Sequence, residues 1–508
     1  MPNQAGSDVF KKLEMFSRYV PLLAWVIVIS VITIVPLKIT SYGYLPIDDA
    51  LRHAAKAVSG KPWPEILVVG PAFKLDQHAG WHALLREIYL SLHCNTDTLV
   101  VLSVVGLFLA LNFSAMACLK RPEAWLAALV IVSLVSDLLS RLMVGRPLLL
   151  SMTAVMVILL VWQRHGKQPP KFWTVAWMTP LIATTVYLHG VWYLWLLPIA
   201  AFFLAQQFRW CLLLAVSWVI GTSLGSALTG HPIENILQAI EVALRSFGLP
   251  KNQLALATES RPSGGDIFSI LLIGGLAAMR RLAGLNAPPL VRHPAFWLTA
   301  MGWVLGREVL RFWEDWGLPA LVVLIASDLQ LLFEARFTAD SFRRLALVGC
   351  IGVATCAVMT PDFNSRWTST LRLQYLTPDN PDLKGWLPEK GGIIYSTDMT
   401  IFYQTFFKNP NADWRYIIGY EPAYMADDDY KVYYNFQTSG GDARSLQPWV
   451  DKMRPEDRYI TRAPRAAPPG IPQLEWNYGV SGIWIGRLPR TNTPAVSESS
   501  TNSVNSAK

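Results

Sequence analysis

The chain carries two adjacent carboxylates, Asp48 and Asp49, with Arg52 and His53 just behind them. They follow closely on the first long apolar segment, which runs from near Tyr19 through Pro36. A carboxylate at a bilayer surface can take the proton of an acceptor hydroxyl while that oxygen attacks, or can hold a metal ion. The plainer reading is an acidic pair that opens an interfacial helix, because Asp is favoured at and just after a helix start. Both readings fit the spacing.

Other groups have the same double character. Arg146-Pro147 lie in Val-Gly-Arg-Pro-Leu-Leu-Leu-Ser. Pro suits a first helical position, and Arg at a membrane edge can snorkel. Asp137 and Arg141 are four apart and spaced to pair on one helix face. His189-Gly190 end an apolar segment, where a His serves as a cap or interfacial residue. Trp192, Tyr193 and Trp195 after it read as an aromatic belt sooner than a sugar platform. Arg307 and Arg311 are spaced to share a helix face, and their forked geometry suits a phosphate or pyrophosphate. Glu308, Glu314 and Asp315 are the competing local partners. His53, His78 and His82 could suggest a metal site, and His78 and His82 are four apart, but no HExxH pattern accompanies them, so a zinc site is not expected.

The elements that must position these groups are membrane helices. Of the 508 residues 52% are hydrophobic and only 16% charged, against about a quarter in soluble domains. The apolar residues gather in stretches of about 17–24, enough to cross roughly 30 Å of hydrocarbon. About eleven spans are expected, near 19–38, 98–119, 124–143, 147–163, 173–189, 191–207, 210–228, 266–283, 295–311, 316–333 and 343–359. Lys11, Lys12 and Arg18 precede the first, which is too long for a cleaved signal and reads as a signal anchor.

Every even-to-odd connection is basic: Lys120/Arg121, Arg164/Lys167/Lys171, Arg209, Arg280/Arg281/Arg292 and Arg336/Arg343/Arg344. The positive-inside rule therefore puts the N-terminus in the cytoplasm, and an odd number of spans puts the C-terminal part outside. With that topology Asp48, Asp49, Arg146, His189, Arg307 and Arg311 share one external face. The net charge of +8 sits mostly in the short inner loops, where it sets topology and gives no reason to expect nucleic acid. Cys94, Cys118, Cys211, Cys350 and Cys356 form no disulfide framework or metal-type spacing.

The expected organisation is a polytopic α-helical membrane domain over 1–360 with external loops 39–97 and 229–265. A C-terminal extracytoplasmic α+β domain follows over 361–490, then a disordered Ser/Thr/Asn-rich tail over 491–508. Within the loops, His78 through Leu92 and Ile233 through Phe247 have helical apolar spacing, the first suited to lying along the interface. In the C-terminal domain Gly-Gly-Ile-Ile-Tyr-Ser, Trp-Arg-Tyr-Ile-Ile-Gly-Tyr and Gly-Ile-Trp-Ile-Gly-Arg look like short strands.

The acidic pair in the first external loop, the Arg-Pro turn, the His-Gly span end and the late Arg-rich span end before Gly-Leu-Pro-Ala together resemble the GT-C superfamily of membrane glycosyltransferases. Within it the chain is most similar to bacterial relatives of protein O-mannosyltransferases and aminoarabinose transferases. The resemblance covers about residues 15–360, and the Asp-Glu usual in that group is Asp-Asp here, which leaves open which carboxylate acts.

The resemblance implies inverting transfer of a sugar from a polyprenyl-phosphate donor to a lipid, glycan or protein acceptor, at the outer face of a bacterial inner membrane. Asp48 or Asp49 would deprotonate or orient the acceptor. Arg52, His53, Arg146, His189, Arg307 and Arg311 would bind substrate, and Arg307, Arg311 or Arg146 would stabilise the departing phosphate. It names no certain cofactor and leaves room for a divalent metal. Trp414, Tyr420 and Tyr424 of the C-terminal domain are candidates to stack on sugar, with core packing as the plainer role. The competing classes are a transporter or lipid flippase, a non-catalytic polysaccharide assembly factor, and an oligosaccharyltransferase or polymer ligase of the same broad fold. A transporter needs polar groups at the bilayer midplane, and only Asp137 and Asp328 depart from the clustering at one face.

Overall fold

The computed structural model describes residues 17–70, 73, 75–165, 168–247, 267–419, 421–463 and 470–489. Lys11, Lys12, Lys167, Tyr420, loop residues 248–265 and the tail 491–508 lie outside the described residues.

The helices follow the apolar segments. α1 (Val20–Ser41) leads to α2 (Asp49–Ser59) and α3 (Ala79–Leu92), then to α4 (Thr96–Ala117), α5 (Pro122–Ser133), α6 (Leu148–His165) and α7 (Trp173–His189). After them come α8 (Leu196–Leu204), α9 (Phe208–Ala227), α10 (Pro232–Phe247), α11 (Ile267–Leu282), α12 (Pro294–Gly306), α13 (Leu318–Arg336) and α14 (Phe342–Met359). Side-chain caps set several starts: Asn95 accepts from Thr98 N at the head of α4 and Ser341 from Arg343 N at the head of α14.

Among the described residues six helical stretches are long and apolar enough to cross a membrane: α1, α4, α6, α9, α14 and the run Leu310–Arg336 that contains α13. The chain is a polytopic helical membrane protein. Its centre is Leu310–Arg336, whose most apolar window is 83% buried, against 28% for α14. Outward-facing residues of α1 and α9, such as Leu22, Val26, Leu212 and Val219, are exposed apolar side chains of the sort a bilayer covers.

The expected spans do not all appear as single long helices. The stretch 124–143 breaks after Ser133, and a short turn of helix, Leu138–Leu142, follows. The break lies where Ser136 and Asp137 offer hydrogen-bonding alternatives to the helix. Ser136 Oγ donates to Val132 O, and Asp137 takes Ser140 Oγ at 2.6 Å. The 191–207 stretch begins as a 3-10 turn, Trp192–Trp195, before α8.

Polar contacts inside the bundle gather at two ends. At one end Arg344 makes a two-pronged pair with the fully buried Glu123, at 2.7 and 3.1 Å. Arg280 similarly grips Asp328 at 2.5 and 2.8 Å, and Gln330 caps the backbone of Lys120. These are the basic connections that the sequence assigns to one side. Between the ends, Trp125 Nε1 donates to Asn112 at 2.8 Å and ties α5 to α4.

The opposite end carries the extra-bundle structure. Five strands, β1 (Ile393–Tyr395), β2 (Arg415–Tyr416), β3 (Arg458–Arg462), β4 (Glu475–Tyr478) and β5 (Ile483–Arg487), form a sheet in the order β2-β1-β3-β5-β4. β1 runs parallel to β2 and β3, while β5 is antiparallel to β3 and β4. Helices α15 (Met399–Lys408) and α16 (Asp427–Thr438) accompany it. The three strand-like motifs form β1, β2 and β5, whereas β3 and β4 were not foreseen.

This sheet is not separate from the segment between α1 and α4. Leu67 bridges in parallel to Tyr416, Val69 bridges to Met425, and Gly70 N donates to Tyr424 O at 2.9 Å. Ala55, Trp63, Ile66 and Leu67 share one apolar core with Phe402, Tyr416 and Ile485. Lys408, at the end of α15, pairs with Asp97 at the head of α4 at 2.9 Å.

Removing one partner of a buried ion pair strands the other, at a cost of about 3–5 kcal/mol. Glu123→Gln is therefore expected to lower the thermal midpoint of the detergent-solubilised protein sharply, and Arg343→Gln, beside the pair but outside it, to leave it nearly unchanged.

Candidate functional site

The site is built around the first turn of α2. Asp48 has extended backbone and caps the helix, its carboxylate accepting from Asp49 N. The same Asp48 Oδ1 receives Arg146 Nε at 2.7 Å, with Arg146 Nη2 closing the fork. Asp49 Oδ1 takes Arg52 Nε at 2.7 Å, and its Oδ2 lies 3.4 Å from Arg146 Nε. A carboxylate that both caps a helix and holds a guanidinium fixes two elements at once. α2 is buried along nearly its whole length, from Asp49 to Ala57, so it is not the wet-faced interfacial helix of the plainer reading.

Two glycines let the neighbouring turns come close. Gly145 has φ +64°, and a Cβ there would meet Val104 at 2.9 Å and Ala50 at 3.3 Å. Gly190, at φ +80°, would meet the backbone oxygen of Gln77 at 2.6 Å. Only glycine fits either position, and each delivers its neighbour, Arg146 or His189, to the same space.

That space is a cavity of about 110 Å³. It is lined by Asp49, Arg52, His53, Arg146, His189 and Arg311 from the expected set. Asp48 stands behind Arg146, outside this lining, and acts on the cavity through that guanidinium. Arg307 does not belong. α12 stops at Gly306, Val309 is extended, and a new turn starts at Leu310, so Arg307 and Arg311 share no helix face. Arg307 is exposed and lies over the Trp303 ring at 5.8 Å.

The pairing expected between Asp137 and Arg141 is also absent. Asp137 meets Arg366 at 3.6 Å, while Arg141 reaches Asp315 at 2.7 Å. Asp315 arrives on a π-helical turn, Trp313–Gly317, which rotates it and Trp316 toward the cavity. Of the aromatic candidates, Tyr193 and Tyr424 line the cavity. Trp414 is packed in the core of the C-terminal domain, with its Nε1 on the Tyr416 hydroxyl at 3.1 Å. Trp195 is buried, and Trp192 stacks on Trp218.

Sequence reasoning grouped His53, His78 and His82 only as a metal candidate, and missed their chain with Asp76 and the contributions of Gln77 and Glu421. Asp76 Oδ2 lies 2.6 Å from His82 Nδ1, and His82 Nε2 lies 2.7 Å from His53 Nδ1. His78 sits edge-on to His53 at 4.9 Å and 5.9 Å from His189. His189 Nδ1 in turn is 3.0 Å from Ser151 Oγ. The available signal is the His-x-x-x-His spacing with Asp76 just before it.

Burial sets the titration of these groups. It holds the His53 and His78 imidazoles well below their ordinary value, helped by the charge of Arg52. It lowers His82 too, against the pull of Asp76. For Asp76 burial alone would raise the carboxyl, but the charge and hydrogen bond of His82, with Lys56 at 3.9 Å, hold it well below the usual carboxylate range. At neutral pH the cluster is one carboxylate and neutral imidazoles.

Among the described residues no group of three or more His, Cys, Asp or Glu side chains is placed to hold a metal ion. No family model matches the chain, and no curated protein matches it either.

The lowered histidines make stability depend on pH. Between their folded values and the ordinary 6.5, the unfolded chain binds more protons, so stability is complete above about 6.5 and is lost as pH falls below it. The thermal midpoint should be level from pH 8 to 7 and drop between about 6.5 and 5, above the range where ordinary carboxylates titrate. A midpoint that stays level down to pH 5 contradicts the buried neutral cluster.

Proposed function

We propose that this protein is a membrane glycosyltransferase of the GT-C type. It moves a sugar from a polyprenyl-phosphate donor to an acceptor hydroxyl at the outer face of a bacterial inner membrane. In this reading the shorter helices complete the crossings. α5 with Leu138–Leu142, α7, α8 with its 3-10 turn, α11 and α12 join the six long stretches to make eleven. The N-terminus is cytoplasmic and the sheet domain external.

The observation that carries the reading is the composition of the cavity. A carboxylate, Asp49, faces the same small space as Arg146 and Arg311, at the end of the bundle covered by Glu421 and Tyr424 of the sheet domain. One wall orients a hydroxyl and the other receives a phosphate. Its volume is below the roughly 300 Å³ at which small-molecule pockets begin. Only the reacting head of a lipid-linked donor would enter, leaving the tail in the bilayer beside it.

The chemistry follows from those positions. The acceptor hydroxyl hydrogen-bonds to Asp49 and its oxygen attacks the anomeric carbon from the face opposite the phosphate, inverting the configuration. The bond to the phosphate oxygen breaks as the new one forms. Arg146 and Arg311 take up the charge that develops on the leaving phosphate. The leaving group is an anion already, so no general acid is required.

The test is transfer from a radiolabelled polyprenyl-phosphate-sugar pool in membranes holding wild type, Asp48→Asn or Asp49→Asn at matched expression. Asp49→Asn should lose about 10²-fold or more of the transfer rate, because it removes the group that orients the nucleophile. Asp48→Asn should lose about 10-fold, through misplacement of Arg146. Unchanged transfer in both and in the double variant would exclude a catalytic role for the pair and favour a non-catalytic assembly factor.

A further inference from the structure

The hydrogen-bonded chain from Asp76 ends in the cavity, and its direction is fixed by chemistry. An ionised carboxylate only accepts, so His82 carries its proton on Nδ1, facing Asp76 at 2.6 Å. His82 Nε2 is then a lone pair and can only accept from His53 Nδ1 at 2.7 Å. His53 must therefore present Nε2 as a bare lone pair. That nitrogen is buried and has no hydrogen-bond partner among the described residues. His53 is 1% exposed and lines the cavity beside Asp49. Asp49, by contrast, has a guanidinium near each oxygen, Arg52 at 2.7 Å and Arg146 at 3.4 Å.

We propose that His53 Nε2 is the proton acceptor of the transfer reaction, with His82 and Asp76 as positioning residues that fix its tautomer and offset its charge. The proposal rests on the sugar-transfer reading above. In the step, a lone pair of the acceptor oxygen forms the bond to the anomeric carbon. The bond from that carbon to the donor phosphate oxygen breaks, and its electron pair stays on the phosphate. The hydroxyl proton passes to His53 Nε2 and leaves later to water. Asp49 orients the hydroxyl in this division of labour.

The arrangement answers a specific difficulty. An imidazolium buried among Arg52, Arg146 and the neighbouring imidazoles of His78 and His82 is costly to form. The Asp76 carboxylate at the far end of the chain lowers that cost, because positive charge gained at His53 can spread through His82 toward it. Lys56, 3.9 Å from Asp76, helps to keep that carboxyl ionised. An imidazole that lines the cavity, keeps one nitrogen bare and has a carboxylate behind it has the parts of a general base.

The experiment uses the full chain in lipid nanodiscs with a radiolabelled polyprenyl-phosphate sugar. His53→Ala should lower kcat by about 10²–10⁴-fold and recover part of it when imidazole is added. Asp76→Asn should lower kcat by about 10²-fold or more with little change in the donor KM, since it changes a tautomer and not a contact.

A second measurement does not depend on activity. In wild type labelled with ¹⁵N-histidine, the His53 signals, assigned by their loss in His53→Gln, should show a protonated Nδ1 and a bare Nε2. Asp76→Asn should mix the two tautomers. A proton on His53 Nε2 in wild type overturns the relay, and so does a His53→Ala protein that transfers at close to the wild-type rate. An inactive His53→Ala that imidazole does not restore is decided by the wild-type nitrogen signals. Wild type that transfers no sugar sinks the glycosyltransferase reading instead, so the two failures are distinguishable.

Discussion

Arg146 is about nine-tenths buried where the helical bundle meets its outer layer. A guanidinium in that position is tolerable only if carboxylates meet it with good geometry. Asp48 and Asp49 do so from the first turn of α2. Because Asp48 also caps α2, the same contact that neutralises the charge sets the start and direction of that helix. The head of α6 and the head of α2 are thereby locked together, and every other cavity residue is placed relative to them.

The rest of the outer layer is assembled on α2. Its alanines, Ala50, Ala54, Ala55 and Ala57, are buried, and small side chains let α3, α4 and α15 approach from different sides. Carrying Arg52 and His53 on such a helix fixes them as firmly as the core. The sheet domain then closes over the cavity through strand-like contacts of residues 67–70 with Tyr416, Tyr424 and Met425. The chain thus needs its C-terminal part to complete a site that begins at residue 48. The sheet domain and the segment between α1 and α4 share a core and are one structural unit.

The parts of this that were legible in the sequence are those governed by local rules. Long apolar runs make α1, α4 and α9 plain, and Asp48 before an apolar-spaced stretch signals a helix start. The shared location of Asp49, Arg146, His189 and Arg311 was also visible, because alternating basic loops fix which ends of the spans lie together. What failed was whatever depended on partners distant in sequence. Arg141 has a carboxylate at the right helical spacing in Asp137, yet it pairs with Asp315, 174 residues away. Arg307 and Arg311 read as one face because nothing in their spacing announces the break at Val309. β3 was hidden by Arg458, a residue that strand patterns place at the surface. It is fully buried here because its guanidinium finds the carbonyls of Trp386, Pro455 and Asp457. The histidine chain was missed for the same reason, since His53 and His82 are 29 residues apart.

Charge balance connects the ion pairs to the proposed reaction. The cavity lining holds three guanidinium groups, Arg52, Arg146 and Arg311, and three carboxylates, Asp49, Asp315 and Glu421. Fixed charges therefore offer no large surplus to pull a phosphate in. A sugar linked through a phosphodiester brings one negative charge. Once the sugar has left, the lipid phosphate is a monoester able to carry a second. In a water-poor site that extra charge must be matched where it appears. The proton released by the acceptor hydroxyl supplies the match if it stays in the cavity, and the bare nitrogen of His53 is the group able to hold it there. Bond formation, loss of the sugar from phosphate and protonation of the imidazole then leave the net charge of the site unchanged. A neutral histidine backed by a carboxylate is thus better suited to this cavity than another arginine, because it acquires its charge only when the phosphate does.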